Sequence, residues 1–262
     1  MTELIRKLVE TKTHEGVTFE VWRYVEARQV VKMIPYYTQQ ADGTNVFSHQ
    51  PHVQEVPVHH VCVKLENASV ILEPGALQYM KGNIKAEVIK HEPGKGFFSR
   101  HLASAGTGES PYGVRYTGTG EIWAEPVSKH FIIVEVDNEE PMLLDDRAFY
   151  ACSGKVKLDT KRHSTFSGAS SGNQLVQPRL SGYGIAIVES PVAEAELDFI
   201  TLDGQTELVV DGDYMLFFSE TLEVKYEMLV PGLLNAHRSG EGLVFKFKGS
   251  GTVCVMPTSK IG

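Results

Sequence analysis

The glycine pair Gly118/Gly120, in the stretch YTGTGEIWAEP, is the first candidate for chemistry, because glycine-rich turns can bind phosphate groups. A phosphate loop joins a strand to the N-terminus of a helix, whose free N–H groups and dipole hold the anion. Here the glycines lead into an apolar segment rich in β-branched and aromatic residues, which predicts a strand instead. We therefore interpret this pair, and two similar pairs further along, as structural glycines at a bulge, bend or close backbone approach. The glycines concerned are Gly118, Gly120, Gly182, Gly184, Gly249 and Gly251.

The segment GASSG, residues 168–172, matches the G-x-S-x-G pattern of a nucleophile elbow, with Ser170 as the serine. The elbow requires a strand-to-helix turn above a parallel sheet, and the Ser/Gly-rich surroundings show no such pattern. His163 and His237 are conceivable bases, but nothing in the sequence places either of them near Ser170. We predict a surface loop here and assign no catalytic residue.

The adjacent histidines His59 and His60 are weak candidates for a metal site, together with Glu66. A metal site on one face of a β-strand needs its ligands two residues apart, because side chains alternate between the two faces. Adjacent histidines point to opposite faces, so only one of them could join Glu66. We expect surface or turn histidines, no bound metal and no cofactor.

The charge balance disfavours nucleic acid as a partner. Lys and Arg number 25 against 33 for Asp and Glu, which gives a formal charge of −8. Binding to nucleic acid requires a positive field that neutralises phosphates, and single strands are usually held by a repeated basic and aromatic stripe. No such stripe repeats along this chain.

The three cysteines, Cys62, Cys152 and Cys254, lie far apart and form no metal-binding spacing. They predict reduced, mostly buried thiols in a reducing compartment. The N-terminus lacks the apolar core of a signal peptide, and no apolar run approaches the roughly 20 residues that cross a bilayer. We expect a cytoplasmic protein.

An internal repeat is visible when three segments are aligned without gaps. Leu72, Leu144 and Val210 coincide in this alignment, and an acidic residue follows each of them. Each segment then closes with an apolar/charged alternation of period two, which indicates a strand with one buried and one solvated face. The aligned apolar positions of that strand are Ile84/Ala86, Val156/Leu158 and Leu222/Val224.

The repeat predicts an N-terminal extension, residues 1–55, that packs on a β core of three units. The units are expected at 56–126, 127–190 and 191–262, within one compact body. Helical periodicity is nearly absent, and the best helix candidates are residues 3–10 and 96–105. The prediction is an all-β protein of sandwich-like or barrel-like architecture.

The segments LEPGALQYMKGNI, FFSRHLASAGTGE, GTGEIWAEP and GEGLVFKFKGSGTVCVMP together resemble the altered-inheritance-of-mitochondria protein 24 family. The resemblance covers roughly residues 56–257, and it is weakest in the second unit, where DDRAFY replaces EPGALQ. It implies a triplicated fold like that of the trp RNA-binding attenuation protein, a short double-stranded β-helix. It further implies a homotrimeric ring of pseudo-ninefold symmetry. Bacterial members have no known function, and no catalytic residue is implied.

The loops that join each repeated segment to its glycine pair are expected near residues 89–113, 159–179 and 229–242. Such insertions often lie on one face and form a binding surface. We predict either a structural cap or a contact to a protein partner or membrane surface. The interaction candidates in these loops are Phe97, Phe98, Arg100, Leu102, Lys161 and Arg162.

The leading hypothesis is a non-enzymatic, ring-forming scaffold or interaction protein. The main alternative is a β-helix protein that binds a small ligand or a metal. An RNA-binding ring is a third reading, which rests on analogy of fold alone.

Overall fold

The computed structural model describes residues 5–40, 45–90, 112–163, 175–228 and 243–259. The described chain is built almost wholly of β-strands, so the all-β prediction is confirmed. The four N-terminal strands are β1 (Arg6–His14), β2 (Val17–Tyr24), β3 (Arg28–Gln39) and β4 (Asn45–Val56). Three long strands follow: β5 (His59–Leu72), β6 (Leu77–Lys90) and β7 (Tyr112–Ala124).

The strands described after β7 are shorter. The next six are β8 (His130–Val136), β9 (Met142–Leu144), β10 (Phe149–Ser153), β11 (Val156–His163), β12 (Leu175–Gly182) and β13 (Gly184–Ser190). The last six are β14 (Asp198–Asp203), β15 (Leu208–Asp211), β16 (Met215–Ser219), β17 (Glu223–Met228), β18 (Leu243–Lys248) and β19 (Ser250–Val255). Two single-turn 3-10 helices, Glu194–Glu196 and Gly212–Tyr214, lie between these strands. No helix among the described residues is long and apolar enough to cross a membrane.

The N-terminal helix predicted over residues 3–10 is wrong, because β1 occupies Arg6–His14. β1 and β2 form an antiparallel hairpin whose two-residue turn is Glu15-Gly16, with φ of +46° and +79°. Positive φ at both central residues is typical of a type I′ turn, which matches the twist of a hairpin. Pairing with β2 therefore overrides the weak helical periodicity of Leu4, Ile5 and Leu8.

The N-terminal hairpin joins the main sheet because β2 pairs with β5, from Val17 opposite Leu65 to Arg23 opposite His59. Val17, Phe19 and Val21 alternate along β2 and are buried. They pack in one core cluster with residues of β5 and β7. Two further clusters fill the middle and the C-terminal part of the chain.

Beyond the N-terminal strands, one order of strand pairing occurs twice within the chain. The eight-stranded sheet contains the order β6-β7-β5-β10-β13-β8, with β1 and β2 added beside β5. The six-stranded sheet has the order β11-β12-β9-β16-β19-β14. A three-stranded sheet, β15-β18-β17, ends the chain, and β3 pairs with β4 in a separate two-stranded sheet.

The register of these ladders shifts at aligned positions. The shift lies between Leu77 and Tyr79 in β6, at residues 149/151 in β10 and at residues 215/217 in β16. In the ungapped alignment these three sites coincide. Each shift is an irregularity of the β-bulge kind, and it lies at the same distance along the chain from the preceding turn in all three strands.

The glycine pairs lie where the backbones of strands paired in one sheet approach closely. Gly118 has a φ of +146°, and a Cβ added there would lie 2.0 Å from the Asn83 carbonyl oxygen. At Gly184 (φ +156°) the added atom would lie 2.2 Å from the Ser153 hydroxyl. All six glycines have positive φ, which disfavours a side chain at each position. At five of them an added Cβ would also lie closer than 3.0 Å to a neighbouring atom, and Gly249 is the exception.

Candidate self-association edges

Several strands among the described residues have a neighbour on one side alone, because they end a sheet. Two of them, at opposite ends of the repeated part of the chain, align with strands that are paired on both sides elsewhere in the chain. Among the described residues, the first half of β6 pairs with β7 and with no second strand. Within the same described set, β15 pairs only with β18. We call the open sides of these two strands the β6 edge (residues 77–82) and the β15 edge (residues 208–210).

Both edges expose apolar side chains. Tyr79 is 47% exposed and Met80 is 43% exposed on the β6 edge. Val209 is 42% exposed on the β15 edge. An unpaired edge with apolar side chains is a template for pairing with another strand, and natural proteins usually blunt or cover it. These two edges are therefore the strongest candidates for an interaction surface.

The aligned positions elsewhere in the chain are covered. Residues 151 and 152 of β10, which align with Tyr79 and Met80, are fully buried against β5. Phe217 and Phe218 of β16 occupy the same positions and are buried against β9. The exposure of the β6 edge thus follows from a missing neighbour, since the residue types are apolar in all three strands.

The β3–β4 hairpin presents a second apolar surface. Strand alternation places Val31 and Met33 of β3 on the same face as Phe47 and Val53 of β4. Each of these four side chains is more than half exposed. The interpretation of residues 1–55 as an extension that packs on the core remains a prediction for this hairpin.

The expectation of surface or turn histidines is wrong for His59 and His60. Both lie in β5, an interior strand between β2 and β7, and both are nearly fully buried. Burial, the largest cause in each case, lowers the pKa of both imidazoles, so both are neutral at neutral pH. Glu66 is exposed.

The two rings face different surroundings, as strand alternation predicts. His59 Nδ1 lies 2.9 Å from the Lys129 carbonyl oxygen, and its ring packs against His130. The His60 ring packs against Trp123, with ring centroids 4.8 Å apart. No group of three metal-ligating side chains occurs among the described residues.

The prediction of a loop over residues 159–179 is wrong at both ends, because β11 extends to His163 and β12 begins at Leu175. Lys161 and Arg162 therefore lie on a strand. Lys161 Nζ lies 2.9 Å from a carboxylate oxygen of Glu220, and the Arg179 guanidinium reaches the other oxygen at 2.6 Å. This ion pair connects β11 and β12 to the end of β16.

Several candidates lie outside the described residues. The interaction candidates Phe97, Phe98, Arg100 and Leu102 fall within residues 91–111, and Ser170 falls within residues 164–174. The helix candidate at 96–105 and the third loop, 229–242, also lie outside. Their predicted roles remain predictions.

The predicted burial of the cysteines is confirmed, since all three are free and inaccessible to solvent. Desolvation raises the pKa of Cys62, Cys152 and Cys254 to about 12. These thiols are therefore protonated and poor nucleophiles at neutral pH.

A cleft of about 440 Å³ lies between the turns at residues 145–148 and 212–213. Asp145 and Asp146 line it together with Lys129 and Arg147. Burial and the adjacent charge of Asp146 raise the pKa of Asp145 to about 6. The cleft mixes both signs of charge and contains no nucleophile beside a base, so it carries no reaction that we can assign.

Comparison with known proteins places this architecture in a family. No curated protein matches the chain. A crystal structure of protein SPYM3_0169 from Streptococcus pyogenes is similar to it with a TM-score of 0.55 at 20% sequence identity, over 87% of this chain and 93% of that one. At this identity the likeness shows the fold alone. The family model described as Mitochondrial biogenesis AIM24 matches residues 52–258. Because that match spans most of the chain, the protein belongs to the AIM24 family.

Proposed function

We propose that the protein is a non-enzymatic scaffold that assembles with copies of itself into a ring, as a homotrimer. The observation that carries this proposal is the pair of open strand edges with exposed apolar side chains, Tyr79 and Met80 on one and Val209 on the other. In a monomer both of these edges would be templates for uncontrolled strand addition. Self-assembly would cover both of them.

The position of the edges supports a ring. They belong to different strands, so a contact between them is heterologous, and each copy keeps one free edge after the first contact. Heterologous contacts close into rings when the rotation per copy divides a full turn, and otherwise extend into filaments. The family resemblance implies closure at three copies.

Light scattering coupled to size-exclusion chromatography tests the assembly over a range of protein concentrations. We expect one species with three times the chain mass of 29.0 kDa. A concentration-independent monomer would contradict the proposal, and a broad rise in mass with concentration would indicate open filaments rather than a ring.

A further inference from the structure

The C-terminal and N-terminal parts of the repeated chain each carry one half of a six-stranded sheet. The C-terminal half has the order β17-β18-β15 and ends on the β15 edge. The N-terminal half has the order β6-β7-β5 and begins on the β6 edge. Placing the two edges together gives β17-β18-β15-β6-β7-β5.

That combined order reproduces both of the complete sheets in the chain. In the six-stranded sheet, β11-β12-β9 meets β16-β19-β14 at the β9–β16 ladder. In the eight-stranded sheet, β6-β7-β5 meets β10-β13-β8 at the β5–β10 ladder. In the alignment, β15 corresponds to β9 and to the second half of β5, while the first half of β6 corresponds to β10 and β16.

We infer that β15 of one copy pairs antiparallel with the first half of β6 in the next copy, head to tail, and so completes a six-stranded sheet across the junction. This inference rests on the proposed self-assembly and specifies its partner and geometry. The occupant of each edge is a second copy of the same chain.

The two internal junctions fix the register of this pairing. Residue 152 lies opposite Ile71 at the first junction, and Phe218 lies opposite Leu143 at the second. The aligned pair across the proposed junction is Met80 opposite Val209. The apolar residues that one copy exposes on its two edges therefore meet each other directly.

The residue pairs on either side of Met80/Val209 follow from the same alignment. Tyr79 is placed opposite Val210, and Lys81 is placed opposite Leu208. The first pair aligns with residues 151/72 and 217/144, and the second with residues 153/70 and 219/142. All three pairs thus have two precedents within the chain.

Hydrogen bonds that flank the internal junctions also recur. The Gly154 N–H donates to the Ser69 carbonyl over 2.7 Å, and the Glu220 N–H donates to the Pro141 carbonyl over 2.6 Å. The aligned bond across the proposed junction runs from the Gly82 N–H of the next copy to the Glu207 carbonyl.

A basic side chain crosses each internal junction near these bonds. Arg115 donates to the Gly154 carbonyl oxygen over 3.0 Å, and Arg179 binds Glu220. Lys246 of β18 aligns with both arginines and pairs with Glu227 within its own chain. The third unit therefore keeps a cation at the position from which its counterparts reach the neighbouring unit.

Disulfide trapping between two variants tests this register. At the first internal junction the residue pairs 154/69 and 150/73 are hydrogen-bonded. Hydrogen-bonded and non-hydrogen-bonded pairs alternate along an antiparallel ladder, so the pair 153/70 is non-hydrogen-bonded. This pair aligns with Lys81/Leu208. Such pairs have Cα atoms about 4.5 Å apart, within the range that a disulfide spans. The native cysteines are buried and do not compete.

The experiment co-expresses a Lys81→Cys chain with a differently tagged Leu208→Cys chain and oxidises the purified assembly. We expect a disulfide-linked dimer that contains both tags, and none in either variant alone. Val209→Cys is the matched control, because its side chain points to the opposite face from Leu208 and should not link to residue 81.

Each other outcome overturns the inference in a distinguishable way. An intact assembly by light scattering that gives no Lys81→Cys/Leu208→Cys link, or that links through Val209→Cys instead, contradicts the register while the scaffold proposal stands. Linking of Lys81→Cys chains to each other indicates a symmetric β6–β6 contact and contradicts the head-to-tail order. A wild-type protein that remains a monomer contradicts both this inference and the scaffold proposal.

Discussion

Individual glycines in the paired strands decide how closely the two backbones of a ladder approach. Gly118 illustrates this, because its backbone conformation and its contact with β6 both exclude a side chain. The aligned glycines in the later units have the same positive φ. At this scale the sequence pattern Gly-x-Gly encodes a steric requirement, and a phosphate-binding role has no helix to support it.

Gly118→Ala is expected to destabilise the fold by about 2–4 kcal/mol, through backbone strain and overpacking. The added Cβ would meet the Asn83 carbonyl at 2.0 Å, and a backbone atom in a paired strand cannot move aside cheaply. Gly204→Ala is the matched control, since Gly204 also has positive φ but nothing within 4 Å of an added Cβ. Urea denaturation of both variants measures the difference, and equal losses of stability would contradict the close-approach account.

Asp145→Asn is expected to stabilise the protein at pH 7.5 by about 1–2 kcal/mol. Burial raises the pKa of Asp145 in the folded state to about 6 from an ordinary value of 3.8. The folded wild type therefore takes up a proton before the unfolded chain does, so this carboxyl adds stability as the pH falls through 6. The advantage of the variant should shrink over the same range.

Urea denaturation at pH 7.5, 6 and 4.5 tests this sign. Asp198→Asn provides the control, because it makes the same charge change at an exposed position. An advantage of Asp145→Asn that stays constant with pH, or that grows on acidification, would show that the charge of Asp145 is not disfavoured in the folded state.

Strands, rather than single residues, carry the candidate interaction surface. The β6 and β15 edges have the same apolar residue types as covered strands in the interior of the chain. What distinguishes them is the lack of a neighbouring strand among the described residues. A charge placed on either edge should therefore weaken assembly without disturbing the fold of one copy.

Met80→Lys and Val209→Lys are each expected to weaken assembly on the order of 100-fold, since the new charge would be buried and unpaired in the junction. Thermal unfolding of the single chain should change little, because both side chains are exposed there. The chain with Met80→Glu and Val209→Lys together should recover part of the association, since the two charges lie opposite each other. Sedimentation velocity measures all three.

Val88→Lys is the control for these edge variants. Val88 lies in the second half of β6 and is 60% exposed, but it is outside the proposed junction. If Val88→Lys dissociated the assembly as strongly as Met80→Lys, the contact would not be specific to the β6 edge.

At the scale of the whole molecule, the sequence predicts the strand class well because period-two alternation is a local property. The closing strands at Val156 and Leu222 show that alternation clearly. It predicts less well where pairing decides the outcome, as at Arg6–His14, where a hairpin partner turns an apparent helix into a strand. The burial of His59 and His60 could not be predicted from the sequence either, since it depends on the pairing of β2 with β5.

The candidate edges could not be found from residue types, because Tyr79 and Met80 align with core residues and look like core residues themselves. The feature that identifies these edges is their position in the first and last units of the repeat. In a chain of stacked units the first and last units lack one neighbour, so their outer strands stay open unless a cap or another copy covers them. That signal required the strand order, which only the folded chain supplies.

Hydrogen–deuterium exchange on the wild-type assembly tests the central claim most directly. We expect slow exchange at the backbone amides of residues 78–82 and 208–210 that point away from β7 and β18, as at those of β10 and β16. Dilution to the monomer should release that protection while the internal ladders keep theirs. Rapid exchange of these amides in an intact assembly would contradict pairing between the β6 and β15 edges.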